Sequence, residues 1–142
     1  MRSSGGSWPR RIALDTSAYS HLRGGDERVV DLVEHAAQVL LPVTVLGELD
    51  AAFRSGSRRK DNDARLRELL EAPFVLVLEV TADVARRYGQ VFARLRSNGT
   101  PVATNDVWIA ATVIDAGAHL VTFDRDFQKI DGLDLTVLSS RP

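Results

Sequence analysis

Cysteine is absent from this chain of 142 residues, so no disulfide framework or thiolate metal site can form, and any metal must be held by oxygen or imidazole. Lysine is nearly absent too. Only Lys60 and Lys129 occur, and the other basic residues are arginines, whose planar guanidinium suits bidentate phosphate contacts. No apolar run approaches the length of a bilayer span, and Met1 to Pro9 lacks the apolar core of a signal peptide, which predicts a cytoplasmic protein without a membrane partner. With a formal net charge of −1, the molecule as a whole does not attract nucleic acid, so any such attraction must come from a local patch. The three histidines, His21, His35 and His119, show no metal-ligand spacing and are given no role.

What is present is an ordinary globular composition, 44% hydrophobic and 26% charged, at a length that suits one core. Residues 1–10, with their Ser and Gly, read as a flexible extension that includes Trp8, and 11–142 as a single domain. Arg11 to Leu14 is a short apolar run. Asp15-Thr16-Ser17 then starts a helix that runs through Leu22 to the Gly24-Gly25 stop, and Asp26 caps the next one. Val39 to Leu41 is a buried strand, Thr44 starts a helix stopped by Ser55-Gly56-Ser57, and another follows from about Asp61 to Glu71. Phe74 to Leu78 is a continuous apolar run, which predicts a third, fully buried strand. From Thr81 to Arg96 the spacing predicts an amphipathic helix with Val84, Tyr88, Val91, Phe92 and Leu95 inward, closed by Asn98-Gly99. Thr104 or Asn105 caps a helix ending at Gly117, His119 to Phe123 is a fourth strand, Asp126 to Ile130 a short helical turn, and Leu133 to Leu138 a fifth strand. Strands separated by helices imply right-handed crossovers and a three-layer α/β/α sandwich around a mostly parallel sheet of about five strands. In such sheets the functional crevice lies beyond the carboxyl ends of the strands.

Acids stand at those ends. Asp15 follows the first strand, Glu48 lies in the helix after the second, Asp106 is at a helix start, and Asp124 follows the fourth strand, with Asp126 as a fifth candidate. Each has a local explanation: Asp15 as an N-cap, Asp106 as a complement to the helix dipole, Asp124 and Asp126 as turn residues, and Glu48 as a solvated helix acid beside the backbone-permissive Gly47. If they converge, repulsion and desolvation raise their pKa values unless a cation offsets them. Mg²⁺ or Mn²⁺ does so with oxygen ligands, keeps several waters, polarises a phosphodiester and acidifies an attacking water. The chemistry this pattern points to is hydrolytic phosphodiester cleavage.

The segments Leu14-Asp15-Thr16-Ser17, Leu46-Gly47-Glu48-Leu49, Asn105 to Ala111 and Leu120 to Phe127, in this order and at these separations, resemble the PIN domains, specifically the VapC-type ribonuclease toxins of type II toxin-antitoxin systems, over Ile12 to Leu138. The resemblance implies a metal-dependent endoribonuclease with Asp15, Glu48, Asp106 and Asp124 as its acidic site. Asp15 and Asp106 would be the principal ligands of a Mg²⁺ or Mn²⁺ ion, joined by Asp124 and, through water, by Asp126. It further implies an RNA substrate, a homodimer, and a VapB-like antitoxin whose tail blocks the site, with an Arg presented to the acids. Thr16 and Thr122 match small polar positions whose hydroxyls orient a carboxylate or a bound water, or make only a local turn. Trp108 departs from the smaller apolar residues expected beside Asp106. Phe123 replaces a basic residue, so that position is not expected to contact phosphate.

Arg54, Arg58, Arg59 and Lys60 form a basic run after Glu48 that is equally suited to steering RNA, to a partner protein and to simple solvation. Tyr88 and Phe92, at helical spacing, are read as core. Two rivals stand beside the nuclease: a PIN-like module that binds RNA or protein without cleaving, and a phosphoryl-transfer domain with Asp15 as nucleophile. The second needs another acid two residues after Asp15, where Ser17 stands, or a strand-end Lys in a chain that has almost none.

Overall fold

Short β-branched and leucine-rich runs build the sheet of the computed structural model, which describes residues 7–140. The first six residues of the expected extension and the last two of the chain lie outside that range. The strands are β1 (Arg11–Leu14), β2 (Gln38–Pro42), β3 (Val75–Leu78), β4 (His119–Thr122) and β5 (Leu135–Val137). They pair in the order β3-β2-β1-β4-β5, every pair parallel. Parallel pairing requires crossovers, and helices supply them. α1 (Thr16–Arg23) and α2 (Glu27–His35) join β1 to β2, and α3 (Val43–Ser55) and α4 (Arg59–Leu70) lead to β3. α5 (Ala82–Asn98) and α6 (Thr104–Ala116) carry the chain back across the sheet to β4, and a 3₁₀ turn (Arg125–Lys129) precedes β5.

Alternation along the strands splits the core in two. Ile12, Leu14, Val39, Leu41 and Val121 belong to the cluster with Ala18, Val29 and Leu32 of α1 and α2. Ala13, Leu40 and Leu120 belong to the one with Leu95, Val107, Ala110 and Val113 of α5 and α6. The sheet is therefore covered on both faces, as an α/β/α sandwich requires. β1 is the pivot of the topology. From it the chain first builds outward through β2 and β3, then crosses over to place β4 on β1's other side, so the strand order reverses between β1 and β4. Open sheets of this kind form their crevice at such a reversal.

Several local expectations need correction. β3 has a neighbour on one side only, and Leu76 and Val77 remain 45% and 42% exposed, so its apolar run marks an edge strand and not a fully buried one. On α5, Val84 and Leu95 are buried with Tyr88 and Val91 half-buried beside them, whereas Phe92, one residue round from that stripe, is exposed. Trp108, the bulky residue beside Asp106, is seated by stacking on Tyr88 with ring centroids 3.9 Å apart, which ties α6 to α5. Neither Thr104 nor Asn105 caps α6. Its N-cap is Ala103, which makes no side-chain cap bond, and the Asn105 amide serves elsewhere. α4 begins at Arg59, which puts Arg59 and Lys60 in a helical turn. Trp8 stacks on His35 at 4.0 Å.

α6 ends at Gly117, whose φ of 62° is left-handed, with no atom near enough to obstruct a Cβ there. Gly117→Ala should therefore cost only the backbone strain, about 1 kcal/mol. Gly89→Ala, in the exposed interior of α5 with equally open space, should stabilise by about 0.5–1 kcal/mol. Urea midpoints moving in opposite directions at constant m would bear this out; a gain for both would not.

Candidate active site

The crevice between β1 and β4 is assembled around Asp15, which is only 4% exposed. As N-cap of α1 its Oδ1 accepts the Ala18 N–H at 2.8 Å and the Ser17 hydroxyl at 2.7 Å, while its Oδ2 accepts the Thr122 hydroxyl at 2.5 Å. The capping explanation of Asp15 is thus correct but incomplete, since the same carboxylate also ties α1 to the end of β4. Both hydroxyls are used twice. Ser17 Oγ accepts the Phe123 N–H at 3.0 Å, and Thr122 Oγ1 accepts the Asp124 N–H at 2.9 Å. The two strand ends are stitched together through these atoms, and an ionised carboxylate with about four acceptor positions keeps roughly one free after three such bonds.

Glu48 reaches the same place from α3. Its Oε1 accepts the Thr16 hydroxyl at 2.5 Å and its Oε2 the Asn105 amide at 3.3 Å. Asp106, in the first turn of α6, is half-buried. Its carboxyl is pushed up to about 7, chiefly by burial, then by the charge of Asp124 and a hydrogen bond shared with it, then by Glu48 and Asp15. The charges of Asp124, Glu48 and Asp15 thus all reach Asp106. Burial likewise pushes Asp15 up, against the hydrogen bonds from Thr122, Ala18 and Ser17 and with the charge of Asp124 adding to the effect. Asp124 Oδ1 accepts the Asp126 N–H at 2.9 Å, so its turn role is real as well. Asp126 itself points its carboxylate at Lys129 Nζ, 3.1 Å away, and contributes to the cluster through its backbone.

Among the described residues, no three acidic or imidazole side chains close into a ready cage for a metal as they stand. The donor set nevertheless fits a hard divalent ion, which takes one or two carboxylates and keeps its waters. Asp106 and Asp124 are close enough to share a proton, and two carboxylates in that relation need either a proton or a cation between them. Ser17 and Asn105 were not distinguished in sequence as supports of these acids. Ser17 reads as part of a helix start and Asn105 as a cap, and only the meeting of distant segments shows what their polar atoms do.

The basic run that follows Glu48 is largely neutralised. Arg54 pairs with Asp50 at 2.7 Å, Arg59 with Asp63 at 3.5 Å, and Arg58 lies 4.0 Å from Asp61. Phe123, in place of the basic residue, stacks on His21 at 3.6 Å and lies under the Arg28 guanidinium.

Because Asp106 holds its proton in the folded state up to about pH 7 and releases it near 3.8 when unfolded, the native state binds more protons between those values. Stability of the metal-free protein should therefore fall as pH rises from about 4 to 7. Asp106→Asn should remove most of that fall, leaving the part that the raised Asp15 contributes. Thermal melts in chelator should show the variant more stable than the parent by about 1–2 kcal/mol at pH 8, after discounting for solvent screening, with the gap closing towards pH 4. A gap independent of pH would contradict this account.

Comparison with known proteins agrees with the geometry. The sequence matches the PIN domain family over residues 12–133. It is 32% identical over 108 residues to Ribonuclease VapC1 of Haemophilus influenzae strain R2866, covering 75% of this chain and 78% of that protein. Among solved structures, VapBC-5 of Mycobacterium tuberculosis, a member of the VapBC family of toxin-antitoxin systems, is 25% identical with a TM-score of 0.66, covering 93% of this chain and all of that one. VapBC2 of Rickettsia felis, solved bound to a DNA fragment from its promoter, shares the fold at a TM-score of 0.82 and 22% identity, over 91% of this chain and 99% of that one. The crevice between β1 and β4 thus carries its acids on the fold that these relatives share, and the chain belongs to the PIN domain family, among its VapC-type members.

Proposed function

We propose that this protein is a metal-dependent endoribonuclease, the toxin of a VapBC-like pair, with residues 11–142 as its catalytic domain. One observation carries the site assignment: burial, together with the charges of Asp124, Glu48 and Asp15 brought in from three other segments, raises the pKa of the Asp106 carboxyl to about 7. A protein gains nothing in stability from such an arrangement, and perturbed acids in a crevice are the signature of a working site. A bound Mg²⁺ or Mn²⁺ would supply Lewis-acid polarisation of the phosphodiester and a more acidic water. Asp15, Asp106 and Asp124 would hold it, with Asp126 placing Asp124 through its N–H and reaching the ion only through water. Asp15 is locked by three donors, so its free acceptor position is aimed before any ion arrives. Glu48, kept in place by Thr16 and Asn105, orients the attacking water and accepts its proton.

The ribonuclease name of its Haemophilus relative supports RNA as substrate, and the toxin-antitoxin relative from Mycobacterium supports a VapB-like antitoxin, which would present an Arg to the uncompensated acids. Phe74, Leu76, Val77, Val80 and Phe92 leave apolar surface of the kind a second copy of the chain covers, in keeping with a homodimer. Among the described residues no helix is long and apolar enough to cross a membrane, and an RNA substrate is in keeping with a cytoplasmic location. Asp15→Asn and Asp106→Asn should each lower RNA cleavage by about 10²-fold or more while leaving the fold intact, and should relieve growth arrest on expression. Full cleavage by both variants in Mg²⁺ would overturn the assignment of these acids, and RNA binding by the parent without any cleavage would favour a module that binds without cutting.

A further inference from the structure

Beyond the acidic crevice, a cavity of about 230 Å³ opens between α1, α3 and α4, lined by Tyr19, Ser20, Arg23, Phe53, Asn62 and Arg65. Tyr19 is 98% buried by area, at 2% exposure, and its phenol oxygen is the one buried side-chain polar atom among the described residues without a hydrogen-bond partner. An unsatisfied hydroxyl in that position costs stability, and natural proteins rarely keep one without use. Arg23 and Arg65 both exert their charge on it, and the Arg23 guanidinium lies 5.5 Å from the ring centre. Neither arginine has a carboxylate partner among the described residues, in contrast to Arg54, Arg58 and Arg59 nearby. The residues that line it thus bring two guanidinium groups, a serine hydroxyl and an amide, with the Tyr19 phenol buried in its wall and no acid.

Its place is informative. α1 and α3 meet at the Thr16–Glu48 hydrogen bond on the rim of the acidic site. Tyr19 and Ser20 lie about one turn further along α1 and Phe53 a little more than one turn along α3, so the cavity begins on the order of 5–8 Å from that contact. A strand whose reacting phosphate enters a cluster of four carboxylates meets repulsion on either side of the ion. A cationic, donor-only recess one step away would offset it.

The geometry points to this cavity as a second phosphate subsite, in which Tyr19, Arg23 and Arg65 bind a phosphodiester of the RNA strand next to the scissile one. The inference rests on the nuclease reading above and deepens it. A phosphate fits better than a peptide carboxylate, because its two unesterified oxygens can take both guanidinium groups while an ester oxygen accepts from the phenol.

The test measures binding of a short RNA oligonucleotide to full-length Asp106→Asn protein in Mg²⁺ over a range of salt, together with cleavage kinetics in the parent background. Arg65→Ala should weaken binding about tenfold and lower the salt slope by about one, and in the active enzyme it should raise KM with kcat little changed. Tyr19→Phe keeps the ring and the packing. It should raise the melting temperature, since the orphaned hydroxyl is gone, yet weaken RNA binding several-fold with the salt slope unchanged. RNA affinity, salt slope and KM untouched by both variants would overturn the subsite. So would a loss confined to binding of a co-expressed antitoxin, which would give the cavity to a protein partner instead. Absence of RNA binding by Asp106→Asn protein and of cleavage by the parent would remove the nuclease reading itself, a result separable from the others because it appears before Tyr19 or Arg65 is changed.

Discussion

A carboxylate almost wholly withdrawn from water has to be hydrogen-bonded or neutralised, and the way Asp15 meets that demand organises the crevice around it. Its three donors come from the first turn of α1 and the last residue of β4, so satisfying one acid fixes the entry of a helix and the end of a strand that are more than a hundred residues apart in the chain. The donors are themselves tied down by the N–H groups of Phe123 and Asp124. Both hydroxyls in this small network have a second partner, which is what gives the site a defined geometry in place of a set of mobile acids.

The price of this arrangement is electrostatic. Four carboxylates in one crevice repel each other, and Asp106 carries most of the visible strain. The fold tolerates it because Asp15 is satisfied locally, Glu48 is held by Thr16 and Asn105, and the two-sided hydrophobic core on either face of β1 is indifferent to charge at its edge. Whatever fills the crevice, a proton, a divalent ion or the guanidinium of another chain, stabilises the protein by relieving the same repulsion. On the proposed reading, metal binding and inhibition by a partner would be two uses of one deficit.

Much of this was legible in sequence. Strands that alternate with helices declare a parallel sheet, and the acids following Leu14 and Thr122 fall where such a sheet keeps its crevice. Thr16 and Thr122 stood out because they match small polar positions of the family that the sequence resembles, with a local turn as the alternative, and the fold gives each hydroxyl to a distant carboxylate, Glu48 and Asp15. What periodicity did not reveal was position within the sheet. The run Phe74 to Leu78 has the same apolar character as β1 and β2, and nothing local distinguishes an edge from a centre; strand order does, and that is a property of the whole fold. Arg54, Arg58 and Arg59 looked like a free basic patch because their acidic partners sit among them at helical spacings of three and four, visible only once α3 and α4 have their true limits. The buried Tyr19 carried no signal at all, since an aromatic on a helix is ordinarily core.

The order of the elements along the chain adds one consequence. Asp15, Glu48 and Asp106 are all made before β4, yet the hydroxyl that locks Asp15 belongs to Thr122 and the acid that faces Asp106 is Asp124. A chain made from its N-terminus therefore holds Asp15, Glu48 and Asp106 before the residues that lock and face them exist, and the acids come together only once β4 has paired with β1.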